Sequence, residues 1–219
     1  MNKMIKKVLL LVLLPTCFAC KKELTVDKSK TLPFYNSAAF TPEWISENDA
    51  NYSKIHTIDS FEFTNQNGHK ITNKTFEGKI YIADFFFTTC PSICPILAKN
   101  MAVVQEFYKD DDTILLLSHT VMPRIDSVVK IKEYAIEKGA IDEKWHLITG
   151  DRDQIYNIAR TSYFTDENFK KLKEESEFIH TENFILVDAK GRIRGVYNGT
   201  LGVDILRLKR HIKTLKQEL

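Results

Sequence analysis

Residues Ile80 to Phe87 constrain the fold most, because they are apolar or aromatic throughout except at Asp84. A half-buried strand alternates apolar and polar side chains. A run without alternation must be covered on both faces, which makes it a central strand of a layered α/β sheet. Cys90 follows three residues later. Ile93 to Tyr108 then places Ile96, Leu97, Met101, Val104 and Phe107 mainly at steps of three and four, the spacing of an amphipathic helix. Cys90 and Cys94 therefore lie where a buried strand gives way to a helix.

The flanking pattern supplies the other layers. His56 to Phe63 reads as a strand, Asn65 to Gly68 as a turn in which Asn-Gly favours positive φ, and His69 to Thr72 as the returning arm of a hairpin. Phe76 to Lys79 is a second turn, and Thr113 to Ser118 a further buried strand. Asp126 to Lys138 predicts a helix with Val129, Tyr134 and Ala135 on its apolar stripe and Ile131 off it, stopped by Gly139. Trp145 to Ile148 is a short strand, and Thr149 or Asp151 caps a helix running to about Arg160. Tyr163 to Phe178 is highly charged and reads as a surface excursion. Asn183 to Val187 and Ile193 to Tyr197 form a closing hairpin, and Asp204 to about Gln217 a last helix with Leu208, Ile212 and Leu215 inward. Strands alternating with helices imply an α/β fold with a mixed central sheet flanked by helices and an N-terminal β-hairpin extension. A dithiol at a strand-to-helix junction, followed by a closing hairpin and a helix, is the thioredoxin-like plan.

The N-terminus carries a separate message. Lys3, Lys6 and Lys7 precede an apolar run from Val8 to Leu14. That run is far shorter than the roughly 20 residues that span a bilayer, so it reads as a secretory signal. Ala19 before Cys20, with Lys21, Lys22 and Glu23 after it, resembles a bacterial lipobox, in which the cysteine is lipidated. Cys17 is the rival site, and it stands where a lipobox ending at Cys20 would usually have leucine. The expected division is a lipoprotein-type signal peptide over 1–20, a polar linker and irregular lead-in segment over 21–54, and the thioredoxin-like domain over 55–219. Such a chain is exported and lipid-anchored to a bacterial membrane, facing the periplasm or extracytoplasmic space. The hydrophobic fraction of 43% supports a sizeable core. The net charge of +2, from 31 basic and 29 acidic residues, gives no case for nucleic acid.

With Cys17 and Cys20 in the signal region, Cys90 and Cys94 are the thiols of the folded body. Backbone N–H groups at a helix start favour thiolate over thiol. Four residues of helix turn about 400°, so a helical segment would set both sulfurs on nearly one face, close enough for a disulfide or for one soft ion. Thiolates select Cu(I) over hard cations, and a neutral imidazole can complete a trigonal site. A purely structural disulfide would close too small a loop to add much stability. The six histidines, His56, His69, His119, His146, His180 and His211, are not separable on composition alone.

Phe87 to Pro95, with Thr88, Cys90, Pro91, Cys94 and Pro95 in place, resembles the F-T-x-C-P-x-x-C-P centre of the Sco/SenC family. That family comprises thioredoxin-like copper proteins that serve cytochrome c oxidase assembly. Ser118 to Asp126 is similar to its S-x-T-V-D-P-x-x-D segment, Trp145 to Gly150 to its W-x-x-L-T-G stretch, and Phe178 to Asp188 to the segment holding its copper histidine. The resemblance covers Ile55 to Leu215. It implies Cys90 and Cys94 as copper thiolates, His180 as the imidazole ligand, and Cu(I), with Cu(II) in the family as well, as the bound ion. Met122 departs from it, standing where the family often has aspartate. A methionine there either packs as a loop residue or offers a thioether to Cu(I).

The function implied is a membrane-tethered metallochaperone that passes copper to an oxidase subunit or another cuproprotein by ligand exchange. The alternative is a thiol–disulfide oxidoreductase, in which Cys90 and Cys94 exchange with thiol partners and keep oxidase-subunit cysteines reduced. A peroxiredoxin-type peroxidase is disfavoured, because Phe87 stands where its reactive loop carries threonine.

Overall fold

The computed structural model describes residues 31–165 and 181–219. In chain order the strands are β1 (Phe34–Tyr35), β2 (Pro42–Glu43), β3 (Glu62–Asn65), β4 (Lys70–Thr72), β5 (Ile80–Phe86), β6 (Ile114–Thr120), β7 (Trp145–Thr149), β8 (Asn183–Val187) and β9 (Ile193–Asn198). The helices are α1 (Cys94–Phe107), α2 (Val128–Lys138), α3 (Arg152–Thr161) and α4 (Gly202–Leu215). Strands β3 to β9 form one sheet in the order β4-β3-β7-β6-β5-β8-β9. β5, β6 and β7 run parallel, and the outer strands are antiparallel.

Every residue of β5 and β6 is buried, as two-sided coverage requires. Ile80, Ile82, Phe86, Ile114 and Leu116 pack with α1, α2 and α4 on one face of the sheet. Tyr81, Ala83, Phe85, Leu115 and Leu117 pack with α3 and the β3–β4 hairpin on the other. The layered α/β architecture with a mixed sheet is thus the one the pattern of strands and helices implies.

Several local readings change. In α2 it is Ile131 that is buried, while Val129 is 70% exposed, so the stripe is rotated from the one expected. In α1, Leu97, Met101 and Val104 are buried, whereas Ile96 and Phe107 are exposed. Tyr163 is no part of a surface excursion: it is fully buried, and its hydroxyl lies 3.0 Å from that of Tyr81. Residues 56–61 are not strand, and pairing begins at Glu62. Of the two offered caps, Asp151 is the one used, accepting from the Gln154 N–H at 2.9 Å. Gly139 stops α2 in the left-handed region, at φ 70°.

The segment before Ile55 is more than a lead-in. Leu32 and Phe34 are buried, and Arg194 holds them in place by donating to the carbonyls of Leu32 (2.8 Å) and Pro33 (3.1 Å). The same guanidinium pairs with Glu218 beyond α4, so one buried arginine ties both ends of the described chain to β9.

Candidate functional site

The chain leaves the sheet at the end of β5 and turns back on itself before entering α1. Phe86 is still held there, its carbonyl accepting from the Val121 N–H at 2.8 Å. Thr88 donates both its N–H (3.2 Å) and its hydroxyl (2.5 Å) to the buried carboxyl group of Asp126. Cys90 N–H bonds to the Phe87 carbonyl at 3.2 Å. Cys94 opens α1 and Pro95 follows at the first turn, where a missing N–H costs nothing. Only Cys94 is therefore helical; Cys90 lies in the loop before it. The two sulfurs meet because the loop folds over the helix start, not because both residues share a helical face.

The two thiols are free and adjacent, yet their surroundings differ. Burial alone would push the Cys90 thiol up. Backbone N–H groups of Cys94, Ser92 and Ile93, together with the Cys94 thiol, outweigh it and hold Cys90 below the usual thiol range. Cys94 is 4% exposed, and burial, the neighbouring Cys90 thiol and the Asp84 charge push it up to about 12. Cys90 is the more accessible thiol; Cys94 is its buried partner.

Beneath Cys94 the core carries a polar chain. The Ser118 hydroxyl donates to the buried Asp84 carboxyl, and Trp145 Nε1 donates to Ser118 at 2.8 Å. Tyr134 of α2 stacks on Phe86 at 5.2 Å and walls the same side. In the sequence Asp84 stands as an interruption of a strand, and Asp126 as the start of a helix and the end of a motif. The sole signal for either was a carboxylate in an otherwise apolar or loop context.

Five of the six histidines are placed away from the dithiol. His56 bonds to the Ser162 carbonyl (2.8 Å), His146 lies 3.4 Å from the Asn65 amide, and His211 bonds to the Tyr197 hydroxyl (2.8 Å). His69 is exposed in the β3–β4 turn. His119 points to the opposite face of the sheet, among Phe61, Phe63, Phe85 and Tyr163. Among the described residues no third histidine, cysteine or carboxylate joins Cys90 and Cys94. His180, Cys17 and Cys20 lie outside the described residues. Met122 packs against the apolar cluster that surrounds His119, which favours its reading as a packed loop residue.

A mixed sheet of this order, with an asymmetric dithiol between a central strand and its helix, defines a thioredoxin-like thiol protein. The SCO1/SenC family model matches residues 49–216, and the chain belongs to that family. A SCO1/SenC family lipoprotein from Bacillus anthracis is 26% identical, with TM-score 0.64, over 78% of this chain and 99% of that one. BsSco, a member of the Sco family of cytochrome c oxidase assembly proteins in which a disulfide switch is identified, is 25% identical, with TM-score 0.61, over 74% of this chain and 94% of that one. Bradyrhizobium japonicum ScoI, solved with copper bound, is 25% identical, with TM-score 0.54, over 71% of this chain and 99% of that one. No helix among the described residues is long and apolar enough to cross a membrane.

Proposed function

We propose that this protein is a membrane-tethered copper-binding metallochaperone that delivers copper to the cytochrome c oxidase copper centre. The observation that carries the reading is the pair of adjacent free thiols at the start of α1. Two soft donors so placed suit Cu(I). Copper in the Bradyrhizobium relative and the oxidase-assembly role of the Sco family to which BsSco belongs support the cargo and its destination. The third donor is His180. Its motif supports the assignment, as does the placement of the five other histidines at other tasks. The anchor is a lipid on Cys20, a reading supported by the lipoprotein character of the Bacillus anthracis relative. The protein then faces the periplasm or extracytoplasmic space, with copper handed on by exchange of ligands to thiols of the acceptor.

The test is anaerobic Cu(I) titration of the reduced protein against a competing chelator, on the native chain and on His180→Ala. One-to-one binding weakened at least tenfold by the substitution is expected; binding indifferent to His180 removes the ligand assignment. Both thiols must release protons to bind copper, and Cys94 is pushed up to about 12. Affinity should therefore rise at least about tenfold per pH unit between pH 6 and 8. Mass spectrometry of the membrane-extracted chain tests the anchor, and an unmodified Cys20 refutes it.

A second reading has its own observation. A half-buried, lowered Cys90 thiol beside a buried, raised Cys94 is the asymmetry of an attacking and a resolving thiol. In that reading the protein is a thiol–disulfide oxidoreductase acting on the acceptor's cysteines. Weak copper binding with rapid exchange of the dithiol would decide for it.

A further inference from the structure

We infer that Asp126 is the positioning residue of the dithiol loop: its buried carboxyl group, anchored by its own backbone at the start of α2, grips Thr88 and so fixes where Cys90 stands. The inference rests on the reading that Cys90 and Cys94 are the working pair.

The geometry is specific. Asp126 is 0% exposed and accepts three hydrogen bonds from the described residues. Two come from Thr88, through its N–H and its hydroxyl, and the third from the Thr120 hydroxyl at the end of β6. Thr88 is two residues before Cys90 and Phe86 is the last residue of β5, so Thr88 is where the loop can be gripped once the sheet has ended. Thr120 is itself fixed, its hydroxyl accepting from the Met122 N–H at 3.0 Å. Asp126 N–H donates to the Met122 carbonyl at 2.9 Å, and Ser127, the next residue, caps α2. One carboxyl group thus locks the dithiol loop to the tip of β6 and to the start of α2.

Its partners are notable for their charge. Among the described residues no lysine or arginine pairs with Asp126, and all three donors are neutral. A buried carboxylate costs several kcal/mol unless it is well satisfied, and pairing with arginine is the common solution. A cation here would sit two residues from Cys90 and add its own electrostatic pull on that thiol. Neutral hydroxyl and amide donors grip the loop without that effect. The preorganisation matters because a thiolate pair binds a soft ion, or attacks a disulfide, only from a narrow range of positions.

The two threonines provide the control. Each gives one hydroxyl to the same carboxyl group, but only Thr88 belongs to the dithiol loop. The full chain is reduced and compared as Asp126→Asn, Thr88→Val, Thr88→Ser and Thr120→Val. Three readouts are taken: thermal midpoint, rate of Cys90 alkylation by iodoacetamide at pH 7, and Cu(I) affinity. Asp126→Asn should slow alkylation and weaken Cu(I) binding by about tenfold, and Thr88→Val by about threefold. Thr88→Ser, which keeps the hydroxyl, should behave as the native chain. Thr120→Val should lower the midpoint and leave alkylation and affinity within about twofold. Equal effects of Thr88→Val and Thr120→Val would make Asp126 a structural residue and overturn the inference, as would native alkylation rates in Thr88→Val. If the native chain takes up no copper, the copper reading fails, and the alkylation series still decides the role of Asp126. A failure of Asp126→Asn to fold leaves the threonine pair to decide.

Discussion

The parallel pair β5–β6 buries Asp84 on one face and His119 on the other, and the two are treated in opposite ways. On the dithiol face, Asp84 is embedded in a chain of donors: Ser118 donates to it and Trp145 donates to Ser118. On the other face, among the described residues, His119 has one weak polar contact, from Nδ1 to the Asp84 carbonyl at 3.4 Å, and its buried Nε2 has no partner. What holds His119 is aromatic: its ring stacks on Phe85 at 4.8 Å, with Phe61, Phe63 and Tyr163 around it. Burial pushes Asp84 up to about 7, opposed by the Ser118 hydrogen bond, and pushes His119 down to about 3. At neutral pH the histidine is a neutral packing ring, while burial holds the Asp84 carboxyl group beside Cys94 far above the usual carboxylate range.

The largest effect should come from making Asp84 as inert as His119. Between the ordinary carboxylate range near pH 4 and about pH 7, folded Asp84 holds its proton and the unfolded chain does not. Stability therefore falls as pH rises through that window, and the full cost is present above it. Asp84→Asn keeps an acceptor for Ser118 and cannot ionise. It should stabilise the reduced protein by about 2–4 kcal/mol at pH 8 and by almost nothing at pH 4, in urea unfolding. A gain equal at both pH values would show that ionisation is not what the site bears.

His119→Phe should show the opposite dependence. The native ring stays neutral when folded, whereas the unfolded chain binds a proton below about pH 6.5. Stability from this group is complete above that value and is lost progressively as pH falls toward 3. Phenylalanine keeps the stack on Phe85 and removes the unpartnered nitrogen, whose burial costs about 1–3 kcal/mol. The substitution should therefore stabilise at pH 8 by about 1 kcal/mol and by more at pH 5. A loss of stability at both values would mean that Nε2 has a partner, such as an ordered water.

The sheet was legible in the sequence because its signals are long. Seven-residue strands without alternation can only be central, and Leu208, Ile212 and Leu215 mark a single inward stripe that is buried as expected. Short elements leave no period: β1 and β2 have two residues each, and nothing in Leu32 or Phe34 announces that Arg194 will bury them. The α2 stripe was misread because Val129 and Ile131 are equally apolar, and the packing of α2 against the sheet selects Ile131. Cys90 and Cys94 stand out by type and spacing. The residues that tune them do not: Asp84, Ser118 and Asp126 act through contacts between segments far apart in sequence, and side-chain identity alone does not reveal those contacts.

The smallest effect tests whether the dithiol-face chain acts as a connected unit. Trp145→Phe removes the Nε1 donor and also shrinks a buried ring, so its cost mixes a hydrogen bond with a cavity. A double-mutant cycle with Ser118→Ala separates the two, because the cavity is present in both arms. Ser118 is both acceptor from Trp145 and donor to Asp84, and the coupling between Ser118 and Trp145 should be about 0.5–1 kcal/mol. It should also grow with pH. The Ser118 hydrogen bond becomes charge-assisted only once Asp84 ionises, and a polarised hydroxyl is a better acceptor for the indole. Coupling that is larger at pH 8 than at pH 5 would make Trp145 part of the device that holds the Asp84 charge under Cys94. Coupling that is flat with pH would reduce the indole to packing and leave Asp84 and Ser118 as an isolated pair, much nearer in kind to His119 on the other face.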